Sequence, residues 1–412
     1  MVFSTPLFLF VYLSLTLLLY YAVPLKGRNL ALLAVSLFFY AWGERIYVVI
    51  MVASTLIDYT HGMLVERCKA RGNDRGARWA VASSVFFNLA LLGFFKYWDF
   101  LAASFQAVGL NFMPVLNVHL PIGISFYTFQ TMSYTIDVYR GDARAQRSLV
   151  NFGTFVTLFP QLIAGPIIKY KDLGDQIDSR TCTVEKFASG VQMFVIGLGR
   201  MFGFHFLENF AHPYTALSIT DFWRRWHISL STWFREYLYI PLGGNRCSKG
   251  RWVLNLFLVW AATGIWHGAS WNFVLWGLYF WVLLLVEKFV LLRWLKRAPG
   301  AVGHLYTLFF VLVSWTIFAI EDFGQLGEYL KVMFGLGGVP LIDGAFKYYA
   351  ANYLPVLCIS ALAATPLGAA VYRRLNVRTA HILGAVLILA GLLLCTAYLV
   401  DGTYNPFLYF RF

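Results

Sequence analysis

The sequence predicts an all-α membrane protein, a polytopic bundle of roughly 10 transmembrane helices accompanied by re-entrant or interfacial helices. Of its 412 residues, 59% are hydrophobic and only 13% are charged, whereas soluble chains average about 45–50% apolar and about 25% charged residues. The apolar residues form long continuous runs and not the alternating segments of about ten residues that a transmembrane β-barrel requires. The aromatic content of 18% fits the belts that aromatic side chains form at membrane interfaces.

The net charge of +13 has a topological explanation. The basic residues gather in short segments between apolar runs, which is the pattern that the positive-inside rule produces. Such segments lie well against anionic lipid, so we expect membrane lipid and no nucleic acid among the partners. The five cysteines are scattered, without a CxxC motif or a Cys/His cluster, and indicate neither a disulfide framework nor a metal site.

Four apolar runs open the chain, and two of them are short for the roughly 20 residues of a full crossing. We expect the first run to be a span and not a removed signal peptide, because the start lacks a basic n-region and a small-residue cleavage site. The basic residues between positions 62 and 79 predict a cytoplasmic loop. The four runs cover residues 3–23, 29–42, 46–62 and 79–95.

Residues 121–139 predict an unusually polar helix that begins at Pro121, where proline suits a first helical turn. Its polar side chains include Ser125, Thr128 and Gln130. Because polar groups are costly against lipid, this helix should face the interior of the bundle.

Residues 151–168 are apolar but contain Pro160, Gly165 and Pro166. This composition predicts a broken or kinked helix. Irregular backbone is tolerated at membrane depth only where it is buried in protein or lines a cavity, so the segment should lie inside the bundle.

Residues 218–241 predict an amphipathic helix that opens with a capping box at Ser218. Its aromatic residues, Trp223 among them, recur at helical spacing. Arg224 lies off that stripe, and the segment is too charged to span, so we place it in the interface plane or as a re-entrant element. His227 lies in this segment and, taken alone, fits a structural role better than a catalytic one.

His267 lies inside an apolar run of residues 252–286. A histidine at membrane depth is costly unless it is paired, faces a cavity or acts on a substrate. Gly264 and Gly268 are four residues apart, the small-residue spacing that lets another helix or a substrate approach closely. The spacing therefore predicts a glycine-floored groove beside His267.

Ser270 and Trp271 follow His267 by three and four positions, which predicts that all three side chains share one helix face. This arrangement favours a general base in a membrane-embedded site. A buried histidine bonded to a neighbouring helix is the structural alternative, and the residues alone leave both open.

The remaining spans are predicted at residues 273–286, 304–320, 349–368 and 379–400. The sequence lacks a P-loop, a GxGxxG after a strand, a GxSxG and an HExxH motif. Nucleotide hydrolysis, a Rossmann cofactor and zinc proteolysis therefore have no support.

Three stretches together resemble the membrane-bound O-acyltransferase family. They are residues 121–141, residues 159–166, and the block that joins residues 222–227 to residues 263–271. The motifs occur in the family's order, and the resemblance covers nearly the whole chain as a single transmembrane domain, residues 1–412. It implies a bundle around a central tunnel, in the bacterial branch that O-acetylates extracytoplasmic polysaccharides such as alginate.

The resemblance also implies roles for individual residues. His267 matches the histidine to which the family's catalysis is assigned, and His227 matches a second catalytic histidine on the cytoplasmic side. The residues that match the substrate tunnel are Trp223, Arg224, Gln130, Trp266, Gly268, Trp271 and Asn272.

The implied reaction moves an acyl group, most simply acetyl, from a cytoplasmic donor across the bacterial cytoplasmic membrane. The donor would be acetyl-CoA or an acyl-carrier thioester on a cytoplasmic donor protein, and no cofactor would stay bound permanently. A partner with an extracytoplasmic hydrolase-like domain would accept the acyl group and place it on the polysaccharide. Such a transfer needs a base, here His267, and an oxyanion donor, for which Trp266, Trp271 and a backbone amide near Gly268 are the candidates.

The sequence departs from the family's pattern at residues 197–204, and a segment is missing near residues 197–200. The branch has two I-G-L-G motifs separated by roughly two spans of about 20 residues and a loop, whereas only one such motif is present here. Either the chain lacks this segment, or the residues on its two sides are joined across a gap in a longer chain. A chain that truly lacks the segment is expected to be impaired or inactive, because it loses polar residues near the tunnel.

Three other functions stay open. D-alanyl transfer to teichoic acid belongs to the same class and requires a carrier-protein donor. A transporter with His267 in its pathway would show inverted repeats with corresponding broken helices, and we see no convincing internal repeat. A non-catalytic scaffold remnant would follow from a genuine deletion near residues 197–200.

Overall fold

The computed structural model describes residues 5–162, 165–191, 194–340 and 342–401. All regular secondary structure in these ranges is helical, which agrees with the predicted all-α class. The helices, in chain order, are α1 (Leu7–Ala22), α2 (Arg28–Gly43), α3 (Val48–Ala70), α4 (Asp74–Ala107), α5 (Ile124–Arg140), α6 (Leu149–Thr157), α7 (Phe159–Leu162), α8 (Tyr170–Asp178), α9 (Val184–Val191), α10 (Phe194–Met201), α11 (Ile219–Arg225), α12 (Ile228–Phe234), α13 (Lys249–His267), α14 (Trp271–Leu295), α15 (Gly300–Ala319), α16 (Phe323–Met333), α17 (Gly344–Ala363), α18 (Leu367–Tyr372) and α19 (Val377–Asp401).

Five helices in the described part of the chain are long and apolar enough to cross a membrane, namely α3, α4, α14, α15 and the Val377–Ala397 part of α19. Each spans at least 20 residues, or about 30 Å at 1.5 Å per residue. The helix α1 is apolar but shorter. The chain is therefore a multi-pass membrane protein, and the count of roughly 10 spans stays a prediction.

The chain divides into two compact units. Unit 1 comprises Met1–Glu208 with Ile388–Phe412, and unit 2 comprises Asn209–Leu387. The predicted catalytic histidines both belong to unit 2, whereas Gln130 belongs to unit 1.

In unit 1, α5 packs against α3, α4, α6 and α8. The helix is bounded by Gly123 and Gly141, whose φ angles of 79° and 82° lie in the left-handed region that glycine adopts without strain. Every residue from Ile124 to Thr135 is buried, although many are polar. The predicted interior position of this helix is confirmed.

The basic segment between positions 62 and 79 is mostly helical, so the prediction of a long loop there is wrong. The helix α3 continues to Ala70, α4 begins at Asp74, and the Asn73 side chain caps α4 by accepting from the Gly76 amide at 2.9 Å. Arg67 and Lys69 in the last turn of α3, and Asp74 in the first turn of α4, carry the charges that stabilise those helix ends.

The predicted broken helix at residues 151–168 is present as α6 and α7. The break is at Leu158, whose φ of −51° and ψ of 107° are not helical. The Phe159 amide, at the start of α7, donates to the Ser36 hydroxyl on α2 at 3.2 Å. Side chains of neighbouring helices thus satisfy backbone groups that the break releases.

Unit 2 is built on an antiparallel hairpin of α13 and α14. The Trp281 indole on α14 donates to the Val253 carbonyl on α13 at 3.3 Å. The helix α15 lies against α14, where the Tyr279 hydroxyl donates to the Phe310 carbonyl at 2.9 Å. This arrangement places the end of α13, with His267, beside residues of α14 and α15.

Candidate active site

The hairpin of α13 and α14 turns at His267, the residue that the sequence predicts to be the catalytic base. It is the last residue of α13, and Gly268 follows with an extended backbone, φ −166° and ψ 161°. Ser270 is the N-cap of α14 and is also extended. The prediction that Ser270 and Trp271 share a helix face with His267 is therefore wrong, because the three residues belong to two different helices.

The glycines of the hairpin bring its two backbones into contact. A Cβ on Gly264 would overlap the Phe273 carbonyl oxygen, and one on Gly277 would overlap the Trp260 carbonyl oxygen. The predicted close approach at Gly264 is confirmed, with α14 as the partner. Gly268 faces the ring of Phe273 at a distance that excludes a Cβ, so the expected glycine-floored groove is filled at this point.

His267 is half-buried and lies among three aromatic rings that stand nearly perpendicular to its own. The ring centroids of Trp266, Trp276 and Phe318 are 5.0, 4.9 and 5.2 Å from that of His267, with interplanar angles of 77°, 80° and 82°. The three rings come from α13, α14 and α15. Because each packs through an edge-to-face contact, the imidazole is held in one orientation.

His227 lies between α11 and α12, and it interrupts the helix that the aromatic spacing predicts there. Its φ of 47° and ψ of 51° are left-handed, a conformation that costs free energy for a non-glycine residue and that concentrates at functional sites. Asn209 fixes this turn. Its Oδ1 accepts from the Ser229 amide at 2.9 Å, and its Nδ2 donates to His227 Nδ1 at 3.3 Å.

The protonation state of His227 follows from this contact and from its burial. Burial lowers the pKa of His227 to about 4, so the imidazole is neutral at physiological pH. Since Nδ1 accepts a hydrogen bond from the Asn209 amide, the single ring proton resides on Nε2.

The two histidines meet at one indole. The centroid of the His227 ring is 6.1 Å from that of Trp266, at an interplanar angle of 80°, and Trp266 also contacts His267. The two histidines are distant in the sequence, but the packing of the α11–α12 segment against the end of α13 brings both to the same indole. Unit 2 therefore brings together three of the predicted site residues.

A cluster of aromatic rings lies next to His267. Trp223 on α11 contacts Trp260, Trp276 and Phe280, with ring centroids 4.7, 5.7 and 4.9 Å apart. Within the described residues, the indole N–H groups of Trp223 and Trp276 are buried and have no hydrogen-bond acceptor. Trp276 is 1% exposed, and its ring contacts that of His267, so an unused hydrogen-bond donor lies beside the candidate base.

The other predicted tunnel residues have different environments. Asn272 is fully buried and donates to the Phe318 carbonyl at 2.9 Å, which ties α14 to α15. Trp271 is 53% exposed, and Arg224 is also exposed. Gln130 is buried on α5 in unit 1.

Glu287 fixes the start of α11. This fully buried carboxylate accepts from the Ile219 amide at 2.7 Å and from the Thr220 amide at 2.9 Å. The Ser218 hydroxyl accepts from the Asp221 amide at 3.0 Å, so the predicted cap is confirmed. A carboxylate at a helix amino terminus is favourable because it meets unpaired N–H groups and the positive end of the dipole.

Three residues that shape this region were not predicted from the sequence. Asn209 and Glu287 stand far along the chain from the elements they hold, and Trp276 is a tryptophan in an apolar run, which is indistinguishable from a core residue by pattern alone. Among the described residues, no group of three His, Cys, Asp or Glu side chains is placed to hold a metal ion.

Comparison with known proteins identifies the family of this chain. A sequence model described as the membrane-bound O-acyltransferase family matches residues 201–323, which contain both histidines. The chain is 38% identical over 400 residues to the "Probable alginate O-acetylase" of Azotobacter vinelandii, covering 83% of this chain and 80% of the relative. It is 29% identical over 430 residues to the peptidoglycan O-acetyltransferase of Helicobacter pylori, covering 83% of this chain and 81% of the relative.

A third relative spans the whole chain. The "Probable alginate O-acetylase" of Pseudomonas putida is 34% identical over 487 aligned positions that cover 100% of both chains. Because this chain has 412 residues, about 75 of those positions have no residue in it. The sequence identity to these relatives and the share of each chain that the alignments cover establish the family. The chain belongs to the membrane-bound O-acyltransferase family and is an O-acyltransferase.

Proposed function

We propose that this chain is the membrane subunit of a system that O-acetylates an extracytoplasmic polysaccharide such as alginate. In this proposal the acetyl group comes from a cytoplasmic thioester and crosses the bacterial cytoplasmic membrane through a central tunnel in a bundle of roughly 10 spans. The activities named for the relatives, probable alginate O-acetylase and peptidoglycan O-acetyltransferase, support acetyl as the group and a polysaccharide as the final acceptor.

The observation that carries the proposal is the meeting of His227 and His267 at Trp266. Of the two imidazoles that contact Trp266, one can carry the proton of an acyl transfer, while the other, held neutral by burial, can donate a hydrogen bond. The aromatic rings around half-buried His267 limit the access of water, which would otherwise hydrolyse the thioester.

In the proposed reaction, His267 removes the proton of the acceptor hydroxyl as its oxygen attacks the thioester carbonyl. The tetrahedral intermediate carries its negative charge on the former carbonyl oxygen. We assign the Trp276 indole N–H as a donor to that oxyanion, because it is buried, lies beside His267 and has no acceptor among the described residues. The intermediate then expels the thiolate, which takes the proton from the His267 imidazolium and leaves as the thiol, while the acyl group stays on the acceptor oxygen as an ester.

His227 has a different part in this proposal. With its proton on Nε2, it is a hydrogen-bond donor that can hold the incoming thioester from the cytoplasmic side. The donor is acetyl-CoA or an acyl-carrier thioester on a cytoplasmic donor protein. The acceptor is a hydroxyl of an extracytoplasmic, hydrolase-like partner that passes the ester to the polysaccharide.

The segment that this chain lacks relative to the Pseudomonas putida relative is proposed to fall near residues 197–200, where one I-G-L-G motif is present in place of two. A chain whose intact mass is 46.9 kDa would then be impaired in transfer. Full transfer activity from a chain of that mass would refute this part of the proposal.

The experiment that tests the function compares three chains in a host that lacks its own copy: the native chain, His267→Ala, and His381→Ala as a control at an exposed histidine of α19. Base-labile esters are released from the surface polysaccharide and identified by mass spectrometry, and the membrane content of each chain is measured. Acetate that is present with the native chain and His381→Ala, and absent with His267→Ala, would support the proposal.

The other outcomes separate the alternatives. D-alanine in place of acetate would favour transfer to teichoic acid. No ester from any chain, although all are present in the membrane, would favour a missing partner or a scaffold remnant. Equal ester from all three chains would refute the role assigned to His267.

A further inference from the structure

Two arginines of unit 1 lie against the same tyrosine ring. The guanidinium carbon of Arg28, the first residue of α2, is 4.9 Å from the centroid of the Tyr20 ring on α1. The guanidinium carbon of Arg180, two residues after the end of α8, is 5.7 Å from the same centroid. The two positive groups therefore lie no farther apart than the sum of these distances, although like charges repel.

The hydrogen bonds of Arg180 fix its position but leave its charge uncompensated. Its Nε donates to the Tyr20 hydroxyl at 3.1 Å and to the Phe202 carbonyl at 3.0 Å. Its Nη1 donates to Asn29 Oδ1 at 2.7 Å and to the Ile177 carbonyl at 3.3 Å. All four acceptors are neutral, and the buried Nη2 has no acceptor among the described residues. Arg180 is therefore a fixed positive charge inside unit 1.

Arg28 has nitrogens that a ligand can reach. The side chain is half-buried, and its two Nη nitrogens are not buried and make no hydrogen bond to a described residue. Its guanidinium carbon is also 5.4 Å from the centroid of the Tyr21 ring, so two phenol rings hold it by cation–π contacts. Within the described ranges, neither Arg28 nor Arg180 forms an ion pair with a carboxylate. Two guanidinium groups without a counter-ion are suited to an anion, and above all to phosphate.

Contacts within unit 1 show at which end of its helices this pair lies. Asn29, next to Arg28, donates to Asn151 Oδ1 on α6 at 2.8 Å. Arg147, just before α6, forms an ion pair with Glu66 near the end of α3. The arginine pair therefore lies at the end of unit 1 where α3 ends and α4 begins, which the basic residues predict to be cytoplasmic. The cytoplasmic leaflet is the one that carries anionic phospholipid.

Apolar side chains near the arginines distinguish a lipid from a soluble phosphate. Leu18 on α1 is 68% exposed, and Leu25, in the turn that joins α1 to α2, is 72% exposed. A phospholipid brings acyl chains that cover such leucines, whereas a soluble phosphate leaves them in contact with water. We propose that Arg28 and Arg180 form a binding site for the headgroup of an anionic phospholipid, in which Arg28 donates to the phosphate and Arg180 supplies a fixed charge behind it. The site belongs to unit 1 alone and does not depend on the proposed acyl transfer.

The test compares two arginines at this end of unit 1 that differ in charge compensation. Arg78 also lies beside a phenol, since its Nε donates to the Tyr139 hydroxyl at 3.2 Å, but the Asp74 carboxylate is 3.6 Å from its guanidinium. Arg28→Gln and Arg78→Gln therefore remove the same charge from an uncompensated site and from a compensated one. Arg28→Gln also leaves the hydrogen bonds of Arg180 in place, because none of them involves Arg28.

Binding is measured on the purified full chain in detergent, by titration with three probes and native mass spectrometry. The probes are phosphatidylglycerol, phosphatidylcholine with the same acyl chains, and glycerophosphoglycerol, which is the first headgroup without its chains. We expect the native chain and Arg78→Gln to bind phosphatidylglycerol more tightly than either other probe. Arg28→Gln should bind phosphatidylglycerol at least about tenfold more weakly, the size of one hydrogen bond to a charged group.

Four outcomes of this titration would overturn the proposal. Equal phosphatidylglycerol affinity in the native chain and Arg28→Gln would remove Arg28 from the site. The same loss in Arg28→Gln and Arg78→Gln would indicate general attraction to a basic surface. Equal affinity for phosphatidylcholine would show that the net charge of the lipid is not recognised, and equal affinity for glycerophosphoglycerol would overturn the assignment to a lipid.

Thermal unfolding midpoints separate lipid binding from a structural role of Arg28. Without added lipid, the native chain and both variants should unfold at similar temperatures. Phosphatidylglycerol should raise the midpoint of the native chain and of Arg78→Gln, because a ligand that binds only the folded state stabilises it. It should raise that of Arg28→Gln much less. A lower midpoint of Arg28→Gln without lipid, or a rise with lipid equal to that of the native chain, would refute the site.

Discussion

His227 packs edge-on against Trp266, with ring centroids 6.1 Å apart, and Trp266 directly precedes His267 in the chain. The contact depends on a turn that puts His227 in a left-handed conformation and on Asn209, which holds the turn from outside the helix. A hydrogen-bonded, neutral histidine and a half-buried one thereby both contact the same indole.

Replacing Trp276 by phenylalanine should lower activity without loosening the site. The substitution keeps an aromatic ring beside His267 and removes the indole N–H that has no acceptor in the described residues. If that N–H stabilises the oxyanion, kcat for ester formation should fall about 100-fold with little change in KM. The measurement is steady-state transfer from an acetyl thioester by the purified chain with its acceptor partner.

The control for this prediction is Trp260→Phe. Trp260 belongs to the same aromatic cluster, 6.4 Å from Trp276 between ring centroids, and its ring is not in contact with that of His267. This variant should keep kcat within a few-fold of the native value. Equal losses in the two variants would mean that the cluster acts only through packing.

Gly277→Ala should destabilise the hairpin of unit 2. An added Cβ would overlap the Trp260 carbonyl oxygen and press on Gly264, so α13 and α14 must move apart. Overpacking of this kind costs about 1–3 kcal/mol, which should appear as a lower thermal unfolding midpoint in detergent or nanodiscs.

Gly250→Ala is the matched control in the same hairpin. Gly250 lies in the first turn of α13, and nothing lies within 4 Å of the position its Cβ would take. Alanine is the better helix former by up to about 1 kcal/mol, so this variant should be neutral or slightly more stable. A Gly277→Ala chain as stable as the native one would show that the two backbones can separate at no cost.

The stability of the protein should decrease in mild acid because of His227. Burial lowers the pKa of His227 to about 4, whereas an unfolded histidine titrates near 6.5. Below about pH 6.5 the unfolded state therefore binds a proton that the folded state does not, and stability is lost progressively as the pH falls toward 4, by up to about 3 kcal/mol. Unfolding midpoints measured from pH 7.5 to pH 4.5 should show this loss.

The His227→Gln variant should lack that part of the pH dependence, since glutamine does not titrate. His381→Gln, at an exposed position, should keep it. The same slope in the native chain and in His227→Gln would place the titrating group elsewhere.

Some features of the fold could be predicted from the sequence because few backbone structures are stable inside a membrane. A chain rich in long apolar runs must satisfy its backbone internally, and helices do so within one segment. The polar residues of α5 required an interior position, since they would be costly against lipid, and they are buried. The break near Pro160 and the cap at Ser218 follow from local backbone chemistry and are present at Leu158 and in α11.

The spacing of aromatic and polar residues did not predict the helix ends at His227 and His267. The aromatic spacing through residues 218–241 is compatible with one continuous helix, yet the chain turns at His227. The spacing after His267 likewise suggested one face, yet α13 stops there. A prediction from residue spacing assumes that the helix continues. Tertiary contacts, such as those of Asn209 with the turn at His227, decide whether it does.

The sequence by itself determined the class of the protein, the buried position of α5, and the candidacy of His267 and His227, because each follows from composition, from the cost of polar groups in lipid or from a motif. Only the tertiary structure decided that Trp266 contacts both histidines. It also decided that, within the described residues, the buried Trp276 indole N–H beside His267 and the buried Gln130 amide have no hydrogen-bond partner. These are relations between side chains distant in the chain, and their energies come from burial and shape, which exist only once the helices have packed.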